Sequence, residues 1–215
     1  MRNVFLLGII SLILISSCKK EPDVIEQPTT KSIDYMPLTV GNFWVYENYS
    51  IDTLGNETVL TQRDSIVVDR DTIIGAHTYF ILEGTSYPTV NDWGIVDIVR
   101  DSSDYLVNEK GKILFSSSNF SDILCEEVGI YDSDTLYTLT YQMETVSGSI
   151  IVPAGTFDDV LNYKGILTRY ISTNANNPEY FNNYFAPDIG KIVETWSYLS
   201  IPTLYQRRLI NYNIL

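Results

Sequence analysis

From Asp34 onward the sequence consists of short runs rich in β-branched and aromatic residues, and turn residues separate neighbouring runs. No apolar pattern with the period of an amphipathic helix extends over helical length in this region. About ten strands at short spacing, joined by hairpin-type turns, predict an antiparallel all-β domain. We expect a strongly curved sheet, either a half-barrel or a barrel, and a β-sandwich is the alternative arrangement.

Some strand ends are marked more clearly than others. Alternating apolar residues predict a first strand over residues 42–52. Lys110-Gly111 is typical of a hairpin tip, and we expect it to join two short strands. Residues 84–94 begin and end with glycine and contain Pro88, so they are predicted to form a loop that is long for this chain. Long loops in compact domains are often functional.

The N-terminus has a different pattern. An apolar segment begins at Val4, behind the basic residue Arg2, and ends in small residues before Cys18. A positive start, an apolar run and a small-residue end predict a secretory signal peptide over residues 1–17. A transmembrane helix is the alternative, but the run is short for a bilayer and is diluted by Gly8 and several serines.

Because this segment ends on cysteine, Leu14-Ile15-Ser16-Ser17-Cys18 resembles the lipobox of bacterial lipoproteins. The resemblance implies that Cys18 is acylated, with palmitate among its acyl chains, and becomes the first residue of the mature protein. The lipid would hold the protein to a membrane, because each buried CH₂ contributes about 0.8 kcal/mol. We therefore expect a lipid-anchored protein of the cell envelope, in the outer membrane, on its periplasmic or its surface face.

The chain is expected to have three parts. Residues 1–17 are the signal peptide, residues 18–33 are the lipidated cysteine with a flexible tether, and residues 34–215 are a single β-rich domain. Pro22, Pro28 and mixed charge, with little apolar periodicity, favour the tether. The start of the tether also resembles signals that send some Gram-negative lipoproteins to the cell surface, and an ordinary linker is the alternative.

Composition limits the partners and the means of stabilisation. The 215 residues carry a formal charge of -13, which repels nucleic acid, so we expect no nucleic-acid partner. A hydrophobic fraction of 45% with 19% charged residues fits a folded domain. If Cys18 carries lipid, Cys125 has no partner for an internal disulfide. The domain must then be stabilised by its core, in which Cys125 is expected to be a small buried side chain.

Three motifs point to a group of proteins. They are Pro37-Leu38-Thr39-Val40-Gly41-Asn42-Phe43-Trp44-Val45-Tyr46, Val152-Pro153-Ala154-Gly155-Thr156-Phe157 and Gly190-Lys191-Ile192-Val193-Glu194. Together they resemble a group of uncharacterised bacterial lipoproteins with a P-L-x-x-G-N-x-W-x-Y motif, which implies a β-rich domain and no particular activity. A more distant likeness is to half-barrel periplasmic lipoprotein carriers, which implies a curved sheet around an apolar concavity.

The polar residues do not form a pattern that predicts catalysis or metal binding. His77 is the only histidine and follows a glycine turn, and zinc requires three or four ligands. Acidic pairs such as Asp69 and Asp71 lack the continuation of a calcium loop. The adjacent Glu126 and Glu127 would point to opposite faces of a strand. We therefore expect no catalytic residues, no metal, no cofactor and no enzymatic activity.

Sixteen tyrosines and three tryptophans suggest a binding surface, because such side chains combine a large contact area with a polar tip. The alternative is the general preference of sheets for aromatic residues. The candidate ligand-binding residues are Trp93, Tyr180, Tyr184, Tyr198 and Tyr205. We expect a non-enzymatic binding module for an apolar or glycan ligand. A structural or accessory subunit that docks on a partner protein through an aromatic face is the alternative.

Overall fold

A computed structural model describes residues 31–170, 178–199 and 201–215. The predicted signal peptide, Cys18 and most of the tether lie outside the described residues, as does most of a predicted turn at residues 174–178. The described chain is all-β apart from a short 3-10 helix at Ser32–Asp34. In the same residues, no helix has the length and apolarity needed to cross a bilayer.

The strands are β1 (Phe43–Ile51), β2 (Glu57–Ile74), β3 (His77–Ser86), β4 (Val90–Ser102), β5 (Tyr105–Asn108), β6 (Ile113–Ser116), β7 (Cys125–Tyr131), β8 (Asp134–Thr145), β9 (Ile150–Val152), β10 (Gly155–Phe157), β11 (Leu161–Arg169), β12 (Glu179–Phe181), β13 (Tyr184–Ala186), β14 (Gly190–Ser197) and β15 (Leu204–Asn213).

One 13-stranded antiparallel sheet forms the body of the domain. Its order is β6-β5-β4-β3-β2-β1-β15-β14-β13-β11-β8-β7, and β12 pairs beside β13 on β11. The sheet curls into a nearly closed barrel, so that β6 and β7 are its edges, and β9 and β10 form a separate hairpin. The predicted all-β, strongly curved antiparallel sheet is therefore confirmed in its barrel form.

Side chains connect β6 to strands near the opposite edge of the sheet. The Tyr163 hydroxyl on β11 donates to the carbonyl of Ile113 on β6 at 2.7 Å. Lys112, just before β6, forms an ion pair with Glu127 on β7. These contacts close the barrel where no backbone ladder joins β6 to β7, since edge strands must be covered or paired in some way.

The N-terminal segment covers one end of the barrel. The amide of Ser32 donates to the carbonyl of Ser103 in the β4–β5 turn at 3.0 Å, and the amide of Asp188 donates to Asp34 at 2.6 Å. Ser32 is fully buried, and Ile33 packs against the core. The folded domain therefore begins just before the expected tether boundary at residue 33, and this end of the barrel is closed.

Trp44 lies in the core at the closed end. Burial alternates along the start of β1, which places Trp44 and Tyr46 inside and Val45 toward the other face. Trp44 is 1% exposed, and its indole N–H donates to the carbonyl of Ile189 at 2.6 Å. Gly190 has a φ of +107°, and a Cβ there would lie 3.0 Å from Trp44 Nε1. The opening motif and the late G-x-x-x-E motif thus meet in one packing contact.

The prediction of a loop over residues 84–94 is wrong. β3 continues to Ser86 and β4 starts at Val90, so only a three-residue turn with a cis Tyr87–Pro88 peptide bond separates two paired strands. Gly84 has a φ of +148°, and a Cβ there would collide with the backbone carbonyl of Ser65. Gly84 therefore permits close approach of β2 and β3, a role that a sequence pattern does not distinguish from a turn.

Two other differences concern strand length. β2 continues through the acidic segment around Asp69, whose residue types are typical of turns, with a bulge between Val68 and Arg70. Cys125–Tyr131, which was not predicted as a strand, forms the edge strand β7. Long-range pairing overrides the weak local preference of polar segments for turns.

Candidate functional site

A cavity of about 570 Å³ lies inside the barrel. Its size falls within the range of small-molecule sites, about 300–1,000 Å³. One wall comes from β2 to β6 and is aliphatic. The aliphatic side chains on this wall are Ile66, Leu82, Val96, Val99, Leu106 and Leu114. These side chains attract apolar surface, although Asp97 and Lys112 also line this side of the cavity.

The opposite wall is polar and is formed by β14 and β15. Glu194 and Arg207 pair directly across these strands and form an ion pair inside the barrel. Arg207 is only 5% exposed, and its Nη1 donates to Ser86 Oγ at 2.7 Å. The guanidinium also lies over the ring of Tyr46, 5.0 Å from its centroid. Lys191 Nζ contacts Glu194 Oε1 at 2.9 Å, so Glu194 holds two cations.

A second carboxylate supports Arg207 from β2. Asp64 is fully buried, and its Oδ2 lies 3.8 Å from Arg207 Nη1. The same oxygen accepts from Asn48 Nδ2 at 3.0 Å, and Oδ1 accepts from the backbone amide of Tyr87 at 2.9 Å. Because buried charge is costly unless it is paired and hydrogen-bonded, this network keeps the interior charges in place.

The electrostatic environment differs among the buried groups. Burial acts to raise the pKa of Glu194, but Arg207 and Lys191 outweigh it and lower that pKa to about 2. Burial raises the pKa of Asp97 on β4, and burial also raises the pKa of Tyr46. Glu194 is therefore a firmly ionised carboxylate, whereas burial makes ionisation of Asp97 less favourable than that of an exposed aspartate.

Four aromatic rings surround the end of the cavity opposite the N-terminal segment. Trp196 stacks on Tyr205 with ring centroids 5.9 Å apart, and Tyr198 meets Tyr205 edge-on at 5.3 Å. Tyr87 lies 6.2 Å from Trp196. We call these four residues the aromatic rim. They come from the β3–β4 turn, the end of β14 and the start of β15, which are at the same end of the barrel.

Two buried donors on the polar wall lack an acceptor. Among the residues that the structure describes, Arg207 Nε and Trp196 Nε1 are buried and have no hydrogen-bond partner. Both residues line the cavity. An unpaired buried donor costs about 1–3 kcal/mol, so such groups usually indicate a missing partner.

The structure brings together two of the five predicted binding residues. Tyr198 lines the cavity and Tyr205 packs against it in the aromatic rim. Tyr184 packs against the core next to Phe185, and half-exposed Tyr180 lies under Lys164, whose Nζ is 5.1 Å from its ring centroid.

Trp93 lies on the outside of the barrel. Gly84 is two positions from each of the inward-facing residues Leu82 and Ser86, so it lies on the same face of β3. Gly94 pairs with Gly84, and the residue next to it, Trp93, therefore faces outward. Its side chain is 61% exposed. Trp93 therefore belongs to a different surface from the aromatic rim.

Sequence reasoning missed most of the polar wall. Glu194 was recognised only as part of a motif, and Arg207 and Asp64 were not identified as candidates. Alternation along β14 and β15 could have placed Glu194, Trp196, Tyr205 and Arg207 on one face. Whether that face points into the barrel depends on how the two strands pair, which alternation does not reveal.

Other reactive groups do not assemble into a centre in the described part of the chain. No group of three or more His, Cys, Asp or Glu residues there could hold a metal ion. His77 is exposed at the start of β3. Cys125 is half-buried on β7 rather than fully buried, and burial raises the pKa of its thiol.

Comparison with known proteins gives likeness in structure alone. No family model matches the chain, and no curated protein matches it. A predicted exported protein with a YmcC-like fold from Bacteroides fragilis is 12% identical with a TM-score of 0.45, over 81% of this chain and 96% of that one. A predicted lipoprotein from Parabacteroides distasonis is 16% identical with a TM-score of 0.42, over 87% of this chain and 100% of that one.

Proposed function

We propose that this chain is an envelope-anchored lipoprotein that binds a small, largely apolar ligand inside its barrel and catalyses no reaction. The observation that carries the proposal is the cavity of about 570 Å³ with an aliphatic wall and an aromatic rim. Apolar cavities with a few convergent polar groups are typical ligand sites. A glycan is less well suited, because an aliphatic wall leaves buried hydroxyl groups without partners.

We take the end of the cavity at the aromatic rim as its mouth, and the position of this mouth fits a tethered binding module. The N-terminal segment packs at the closed end, against the β4–β5 turn, whereas the aromatic rim lies at the opposite end. A tether that leads from Cys18 to Ser32 therefore joins the domain at the closed end. The anchor would then attach at the end opposite the aromatic rim, so the tether would not obstruct entry of a ligand.

We expect Tyr198→Ala to weaken binding of the neutral dye N-phenyl-1-naphthylamine by about tenfold, since an aromatic contact at the mouth is lost. The protein is the mature chain from residue 18 with Cys18→Ser, which needs no detergent, and the signal is dye fluorescence. Tyr180→Ala is the matched control, because it removes a half-exposed tyrosine from outside the cavity. It should leave the affinity unchanged. Failure of the unsubstituted chain to bind the dye, or equal losses in both variants, would contradict the proposal.

Lipid anchoring is tested at Cys18. Cys18→Ser should move the protein from the membrane fraction to the soluble fraction, or leave the signal peptide attached, because the acylation site is lost. Fractionation and intact-mass measurement distinguish the two products. Membrane association that persists after cleavage at residue 18 would show that another feature holds the protein to the membrane.

A partner-docking role is the second candidate. It is favoured by Trp93, 61% exposed, and Ile95, 51% exposed, on the outer surface of β4. Exposed apolar groups of this kind often mark protein contacts. A protein that copurifies with the unsubstituted chain and with Tyr198→Ala, but not with Trp93→Ala, would support this candidate over ligand binding.

A further inference from the structure

The polar wall carries two successive inward-facing layers. Glu194 pairs with Arg207, and two positions along each strand Trp196 pairs with Tyr205. Residues two apart on a strand share a face, so the aromatic pair lies directly above the ion pair on the side of the mouth. A molecule that enters through the aromatic rim would meet Trp196 and then Arg207.

The two side-chain groups of this wall that make no hydrogen bond are both donors. Arg207 uses its Nη1 and Nη2 atoms on Ser86 and Glu194, but its Nε has no acceptor. The indole N–H of Trp196 also makes no hydrogen bond, although the Tyr198 hydroxyl lies near it. Both groups can only donate. The complementary ligand group is therefore an acceptor oxygen.

The charges around these donors favour an uncharged acceptor. Arg207 and Lys191 are already engaged by Glu194, and Lys112, which also lines the cavity, is engaged by Glu127. Asp64 lies behind Arg207, and Asp97 lines the cavity as a further acidic side chain. An anionic ligand would approach carboxylates without gaining a free cation, and like charges in a low-dielectric interior repel strongly.

We propose that the cavity holds an uncharged amphiphile whose carbonyl, ester or hydroxyl oxygen accepts hydrogen bonds from Arg207 Nε and Trp196 Nε1. The apolar body of the ligand lies on the aliphatic wall across the barrel, against side chains such as Leu82 and Val99. This inference rests on the proposed function and adds the chemical class of the ligand. A hydrogen bond to the charged guanidinium would contribute more than a neutral one.

Two probes of equal heavy-atom count test the acceptor. 2-Acetylnaphthalene carries a carbonyl where 2-isopropylnaphthalene carries a methyl group. Binding of each is measured by displacement of N-phenyl-1-naphthylamine from the mature chain with Cys18→Ser. Trp196→Phe keeps a ring but removes the N–H, and Arg207→Lys keeps the charge but removes Nε. Thermal melting verifies that each variant folds, and Trp196→Phe decides the result if Arg207→Lys does not.

We expect each folded variant to raise the Kd of 2-acetylnaphthalene by about tenfold and to leave that of 2-isopropylnaphthalene within about twofold. Equal losses for both probes, or no loss for either, would overturn the acceptor site while leaving the apolar cavity as the binding site. If the unsubstituted chain binds neither probe nor the dye, the proposed function fails and this inference fails with it.

Discussion

Replacing Trp44 by alanine should lower the free energy of unfolding by about 3–5 kcal/mol. The side chain is 1% exposed, packs at the closed end of the barrel beside Gly190, and donates its indole N–H to Ile189. The substitution would open a cavity and leave the Ile189 carbonyl without this donor. Because β1 also pairs with β2 and β15, the loss falls at the centre of the sheet.

Urea unfolding monitored by circular dichroism measures this effect, since fluorescence would change with the loss of an indole. Trp93→Ala is the matched control, because it removes the same side chain from the outer surface of β4. It should change stability by less than about 0.5 kcal/mol. An unchanged unfolding midpoint in Trp44→Ala would show that the closed end is not part of the cooperative core.

Replacing Arg207 by methionine should cost about 3–5 kcal/mol, because the fully buried carboxylate of Asp64 would lose its cation and Glu194 would keep only Lys191. Removal of both partners is less costly than removal of one when a buried pair is involved. The double variant Arg207→Met with Asp64→Asn should therefore be more stable than Arg207→Met alone. Denaturant unfolding of the two single variants, the double variant and the unsubstituted chain gives the coupling energy.

The neighbouring Arg208 supplies the control. It lies on the same strand but faces outward, where it pairs with the part-exposed Glu57. Arg208→Met should cost at most about 1 kcal/mol, because solvent screens exposed ion pairs. Equal costs at positions 207 and 208 would mean that the interior network contributes no more than a surface ion pair.

Local features of the chain were predicted well where the deciding interactions are close in sequence. β5 and β6 form the predicted hairpin because Lys110-Gly111 sets the turn between them. Alternation likewise predicted the first strand over residues 42–52, which agrees with β1 to within one residue at each end. The prediction of a loop at residues 84–94 was wrong, because glycine occurs both in turns and where two strands approach closely. Only the neighbouring Ser65 backbone distinguishes these two roles for Gly84.

The candidate site was predictable only in part, for the same reason. Aromatic composition selected Tyr198 and Tyr205, which do meet at the mouth, together with Trp93, which faces the opposite side of the sheet. Arg207 acquires its role from Ser86, 121 positions away, and from Asp64 on another strand. No local pattern contains that information.

The sequence by itself determined that the domain is a curved antiparallel sheet, because strand period, turn residues and the lack of helical periodicity are local properties. It also determined the expectation of a lipid anchor at Cys18. The tertiary structure alone decided that the sheet closes into a barrel, with one end covered and an aliphatic wall facing a polar one. Those features depend on the pairing of strands far apart in sequence, whose order and facing are set by collective burial and not by any single segment.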